Sequence, residues 1–65
     1  MTFSENLKEL RKEKEIGQET LALELSVSVK TVSHWETGYT QPSIEQLIKI
    51  ADYFGVSLDE LLGRK

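Results

Sequence analysis

The chain has 65 residues and one histidine, and His34 directly follows Ser33. A hydroxyl beside an imidazole raises the question of a nucleophile and its base. Residues i and i+1 do not face each other on a helix, so this pair cannot meet locally and supplies no acyl-transfer chemistry. The sequence has no Cys, which removes both a disulfide framework and a thiolate metal site; a lone His gives no recognisable ligand set. Its four Gly residues stand singly, where a phosphate-cradling loop would need them clustered. No catalytic constellation emerges, and the expectation is no enzyme, no cofactor and no small-molecule ligand.

A second kind of chemistry is more promising. The segment SVSVKTVSHWETG, from Ser26 to Gly38, gathers hydroxyls, one Lys and the only His, and the polar residues YTQPS follow it. Net charge is −3, which by itself argues against a strongly electrostatic nucleic-acid binder. The distribution says otherwise: of eleven acids, Glu36 alone lies between Ser26 and Ser43. A nearly acid-free window in an acidic chain is a candidate contact surface.

The elements that must position this window are short. Ser and Val alternate from Ser26 to Val29 as in a strand, but the next apolar residues, Val32 and Trp35, are spaced by three, which is helical. Ser28 is a suitable N-cap and Gly38 a suitable C-terminal stop, so a helix is expected over Val29 to Thr37. Upstream, Thr2 with Glu5 fits a capping box, and Phe3, Leu7 and Leu10 recur at helical spacing to about Lys14. Gly17 then caps a second helix from Gln18 to about Leu25, with Leu21, Ala22 and Leu25 as its stripe. Downstream, Pro42 keeps a helix from extending through Gln41. Ser43 with Gln46 opens a fourth helix, with Ile44, Leu47, Ile48, Ala51 and Phe54 expected inward until Gly55 stops it. Ser57 with Glu60 opens a fifth, with Leu58, Leu61 and Leu62 expected inward.

Five short helices and no strand make an all-α bundle, packed helix on helix as a single domain over 1–65. The N-terminal residues lack the charged, hydrophobic and cleavage regions of a signal peptide. No stretch approaches the roughly 18 consecutive apolar residues of a membrane span. A soluble, cytoplasmic protein is expected.

A helix of about eight residues, a three-residue turn and a second short helix is the helix-turn-helix arrangement, here over 18–37. QETLALELSVSVKTVSHWETG followed by QPSIEQLIKIADYFGVSLDELL resembles the repressor and Cro type of helix-turn-helix, the xenobiotic-response-element family, from Leu7 to Leu62. The resemblance implies a lambda-repressor-like fold and a bacterial or phage-type transcriptional regulator. Such a regulator binds a palindromic operator in double-stranded DNA, as a homodimer and often as a repressor. It implies base contacts from Ser28, Val29, Lys30 and His34: Lys30 could donate to guanine O6 and N7, His34 could donate or accept at a purine edge, and Val29 could pack on a thymine methyl. Gln18 matches a phosphate-holding Gln, and Thr31, Ser33, Thr37, Tyr39, Thr40 and Gln41 are the further phosphate donors. Arg11 and Glu36 match an Arg and Glu that pair across the bundle, Val32 and Trp35 match inward positions, and Ala22 matches the small residue where two helices cross.

The same resemblance points to Ile44, Val56 and Leu58 as candidate pairing residues, though closing the monomer's own core is the readier use for them. Three positions depart from the family pattern. Ser26 stands where the turn usually has Gly, and a positive φ there would strain it by roughly 1 kcal/mol. Glu15-Ile16-Gly17 replaces Gly-Leu-Ser, leaving an anion at the end of helix one, where the dipole disfavours it. Tyr39 sits where many relatives are basic; with few cations on the face, modest affinity per subunit and a shallow salt slope follow. The alternative reading is a protein-interaction module, an antitoxin or adaptor, that uses the same face on a protein partner.

Overall fold

The computed structural model describes residues 2–64. Among them the chain forms α1 (Phe3–Glu13), α2 (Gln18–Leu25), α3 (Val29–Thr37), α4 (Ile44–Phe54) and α5 (Leu58–Leu62), with no strand. The starts are set by local hydroxyl chemistry. Thr2, Ser43 and Ser57 complete capping boxes with Glu5, Gln46 and Glu60, and Ser28 Oγ accepts from the Thr31 N–H at 3.1 Å. Gly17 opens α2 with no side-chain cap.

The ends share one device. An N–H just past each helix donates to a carbonyl five residues back: Ile16 to Arg11, Val27 to Ala22, Tyr39 to His34, Val56 to Ala51 and Arg64 to Asp59. This is the Schellman turn, which needs a left-handed residue before the donor. Gly38, Gly55 and Gly63 fill three of those positions, and Glu15 and Ser26, each at φ 60°, fill the other two. Ser26 therefore does take a positive φ, the condition under which the turn after α2 strains it. Gly17 has an ordinary φ of −85°, so the displaced glycine does nothing to relieve Glu15.

The core consists of Phe3 and Leu7 from α1, Leu21, Ala22 and Leu25 from α2, Val32 and Trp35 from α3, Ile50 and Ala51 from α4, and Leu61 from α5. α3 packs on both α1 and α2, and α5 closes the other side against α1 and α4. Two polar ties reinforce these contacts. Ser4 Oγ donates to the Trp35 carbonyl at 2.6 Å, and Asn6 Nδ2 donates to the Leu61 carbonyl at 3.0 Å.

The inward stripe of α4 differs from the expected one. Ile44 is 74% exposed and Ile48 is also exposed, while Ile50 is fully buried. Leu47, Ile50, Ala51 and Phe54 form an i, i+3, i+4, i+7 face, which leaves Ile44 and Ile48 along one flank. Leu58 likewise lies at the surface of α5, while Leu61 is buried as expected. No helix among the described residues is long and apolar enough to cross a membrane.

Candidate nucleic-acid interface

The buried residues of α3 are Val32, Trp35 and Glu36. At 3.6 residues per turn, the opposite side carries Lys30, His34 and Thr37, spaced i, i+4, i+7. Val29 and Ser33 flank this face on one side and Thr31 on the other. Ser28, Val29, Lys30, Thr37, Tyr39, Thr40 and Gln41 are exposed, while Thr31, Ser33 and His34 are half-buried. The sequence-derived residues of the window thus lie on the outer side and the two flanks of α3 and in the connector after it. The first turn of α3 contains no acidic residue, so no carboxylate of that turn offsets the partial positive charge of the helix end, to which Lys30 adds its own.

Glu36, the acid of this window, is withdrawn from that surface. Its side chain is 1% exposed and lies 2.7 Å from Arg11. Arg11 Nε donates to Glu36 Oε2 at 2.7 Å and Nη2 donates to Oε1 at 3.0 Å. The remaining Arg11 fork reaches back to the Ile16 carbonyl at 3.1 Å. Burial pushes the Glu36 carboxyl up, but hydrogen bonds from Arg11 and Gln18 and the guanidinium charge outweigh it and hold the group below its ordinary value. The hydrogen bond to Glu36 in turn raises Arg11.

Gln18 occupies a double position. It is the first residue of α2, whose N–H groups start without a side-chain cap, and its Nε2 donates to Glu36 Oε1 at 3.0 Å. One amide N–H is thus committed inward, leaving the other and the side-chain oxygen free. Sequence reasoning missed this bridge, because the inward pairing of Glu36 was assigned to Arg11 alone.

Two smaller contacts shape the face. Ser28 Oγ and Thr31 Oγ1 lie 2.9 Å apart, fixing the two hydroxyls at the start of α3. Near its end, the rings of His34 and Tyr39 are tilted against each other with centroids 4.7 Å apart. Ile44, Ile48 and Leu58 are exposed apolar side chains, whereas Val56 is half-buried and packs against the core. Among the described residues no group of three or more His, Cys, Asp or Glu could hold a metal ion.

A helix-turn-helix family model matches residues 7–61 of the chain. The chain is 45% identical over 63 residues to the HTH-type transcriptional activator BcrR of Enterococcus faecalis, covering 97% of this chain and 31% of that protein. It superposes on the P22 c2 repressor, solved in complex with a synthetic operator, with a TM-score of 0.92 and 29% identity, covering 100% of this chain and 98% of that one. It also superposes on part of the hydroxypropylphosphonic acid epoxidase of S. wedmorenis, with a TM-score of 0.84 and 33% identity, covering 92% of this chain and 32% of the enzyme. The chain spans 31% of BcrR and 53% and 52% of two Bacillus subtilis regulators that it also matches.

Proposed function

Because the chain belongs to the helix-turn-helix family of the repressor and Cro type, we propose that it is a sequence-specific DNA-binding transcriptional regulator with α3 as its recognition helix. The observation that carries this reading is the outward face of α3. It holds Lys30, His34 and hydroxyls, while Glu36, the acid of the window, is buried in an ion pair. An acidic chain can then approach phosphates without placing a carboxylate in the groove.

In this reading α3 enters the major groove. Lys30 donates to guanine O6 and N7, His34 reads a purine edge, Val29 packs on a thymine methyl, and Ser28 contacts a base at the helix start. Gln18, Thr31, Ser33, Thr37, Tyr39, Thr40 and Gln41 hold phosphates, joined by the N–H groups at the start of α2. With one cation on the face, each subunit binds modestly, and a homodimer on a palindrome adds two half-sites. Ile44 and Leu58, with the neighbouring Ile48, supply the exposed apolar surface for that pairing. Val56 instead supports the core beneath it.

The regulator works on DNA in the cytoplasm, and repression is the mode we favour. The same fold forms part of an epoxidase, so fold alone does not set the role; the names of the relatives favour regulation over catalysis for this chain. Selection of bound duplexes from a random DNA pool at low salt tests the reading. An enriched palindromic sequence supports it. An unenriched pool, together with a stable protein partner recovered on the same face, replaces it with the interaction-module reading.

A further inference from the structure

The geometry points to Tyr39 as a positioning residue for base reading: its ring holds the His34 imidazole in one plane on the α3 face. This rests on the reading of α3 as the recognition helix. The contact is built by the backbone as well as by the rings. The His34 carbonyl accepts the N–H of Tyr39 at 2.9 Å and of Thr40 at 3.4 Å, and Thr37 Oγ1 at 3.2 Å. Gly38, at φ 82°, turns the chain sharply enough for residue 39 to fold back over residue 34. The last turn of α3 is therefore closed on the very residue whose side chain faces outward.

Tyr39 is 76% exposed, so its ring does not serve the core. What it touches is the half-buried imidazole, at a centroid distance of 4.7 Å and an interplanar angle of 58°, within the range of favourable tilted aromatic pairs. An imidazole carries its two nitrogens at fixed places on the ring, so turning the ring about Cβ–Cγ moves a nitrogen away from a base edge and can put a C–H in its place. A ring that rotates freely aims its nitrogens in many directions and discriminates poorly between purines, whereas one packed against a neighbour keeps one plane and so a fixed pair of directions for its nitrogens. The Tyr39 hydroxyl is separate from this role and stays available to a phosphate, so the two can be dissected by substitution.

The test compares Tyr39→Phe and Tyr39→Ala with His34→Ala on the selected operator and on operators altered at each base pair. His34→Ala identifies the base pair that His34 reads, by flattening a preference of about five-fold or more there. Tyr39→Ala should flatten the preference at that same base pair, and Tyr39→Phe should retain it while weakening all sequences alike. In the free protein, the His34 ring-proton NMR signals should shift in Tyr39→Ala and stay close to wild type in Tyr39→Phe. An enriched operator with Tyr39→Ala losing affinity equally at every base pair, or unmoved His34 signals, overturns this inference alone. A pool with no enriched sequence overturns the recognition-helix reading and this inference with it.

Discussion

Arg11 and Glu36 join α1 to the last turn of α3 through two parallel hydrogen bonds, Nε to Oε2 at 2.7 Å and Nη2 to Oε1 at 3.0 Å. The carboxylate is sealed from solvent, and the guanidinium side chain is 14% exposed. Removing one partner of such a pair strands the other charge, which costs far more than the intact pair contributes. Arg11→Ala should therefore destabilise the domain by about 3 kcal/mol or more, where an exposed pair would lose under about 1. A urea melt of this variant decides between those magnitudes, and a loss below about 1 kcal/mol would contradict the burial of the pair.

The same pair sets an acid limit. The Glu36 carboxyl is held below its ordinary value when folded, because the hydrogen bonds from Arg11 and Gln18 and the Arg11 charge outweigh the opposing effect of burial. Its contribution is fully present above the unfolded carboxylate pKa and is lost as pH falls through the lower folded value. Melting temperature should fall on acidification below about pH 4, and Glu36→Gln should flatten that dependence while lowering stability at neutral pH. Glu5, held low chiefly by the backbone hydrogen bond from Thr2, leaves a residual acid dependence in the variant. An unchanged acid profile in Glu36→Gln would place the sensitivity elsewhere.

How far the fold could be read in advance depended on how local each signal was. Ser28, Ser43 and Ser57 act on N–H groups three residues away, so the helix starts were legible. Gly38 and Gly55 stop helices through their own φ, so those ends were legible too. The α4 face was less so, because its apolar residues cover more of the helix than the core needs, and only the packing of α2 and α5 against it selects Ile50 over Ile44 and Ile48. Ser4 and Asn6 bond to backbone carbonyls of residues 35 and 61, partners that no local spacing announces. The acid-free window was visible at once, yet the contact of Tyr39 with His34 depends on a turn whose path the sequence only hints at.

Ser26 and Glu15 occupy left-handed backbone at φ 60°, a conformation that strains residues carrying a Cβ. Ser26→Gly should raise stability by about 0.5–1 kcal/mol, the relief of strain being partly offset by the freer unfolded chain. Glu15→Gly should gain at least as much, because it also removes an anion from the negative end of α1. Chemical denaturation of the two variants and their double measures this, and the gains should add, since the turns lie at different helix ends. A loss in either variant would mean that the native side chain makes a compensating contact.

Ile44 and Ile50 separate the surface of α4 from its core. Ile50→Ala should cost about 2–5 kcal/mol by opening a cavity in the core. Ile44→Ala should change monomer stability by under about 0.5 kcal/mol. If the exposed isoleucine helps to pair two copies, Ile44→Asp combined with Leu58→Asp should shift sedimentation to the monomer and weaken binding to a palindrome while leaving the helical spectrum intact. A double variant that sediments as wild type would remove this face from any dimer.

Lys30 and Gln18 should fail in different ways on DNA. Lys30→Ala should lower discrimination at one base pair by about 1–3 kcal/mol, changing which sequence is preferred. Gln18→Ala should weaken every sequence by a similar factor and leave the salt slope unchanged, because a neutral amide releases no counterion. It also carries a structural cost of about 1.5–3 kcal/mol, since the Gln18 hydrogen bond to the buried, charged Glu36 is lost. Binding titrations at several salt concentrations, run well below the melting temperature of each variant, keep the two effects apart. A base-specific defect in Gln18→Ala would make it a reader of sequence, and a uniform defect in Lys30→Ala would move the lysine from the groove to the backbone.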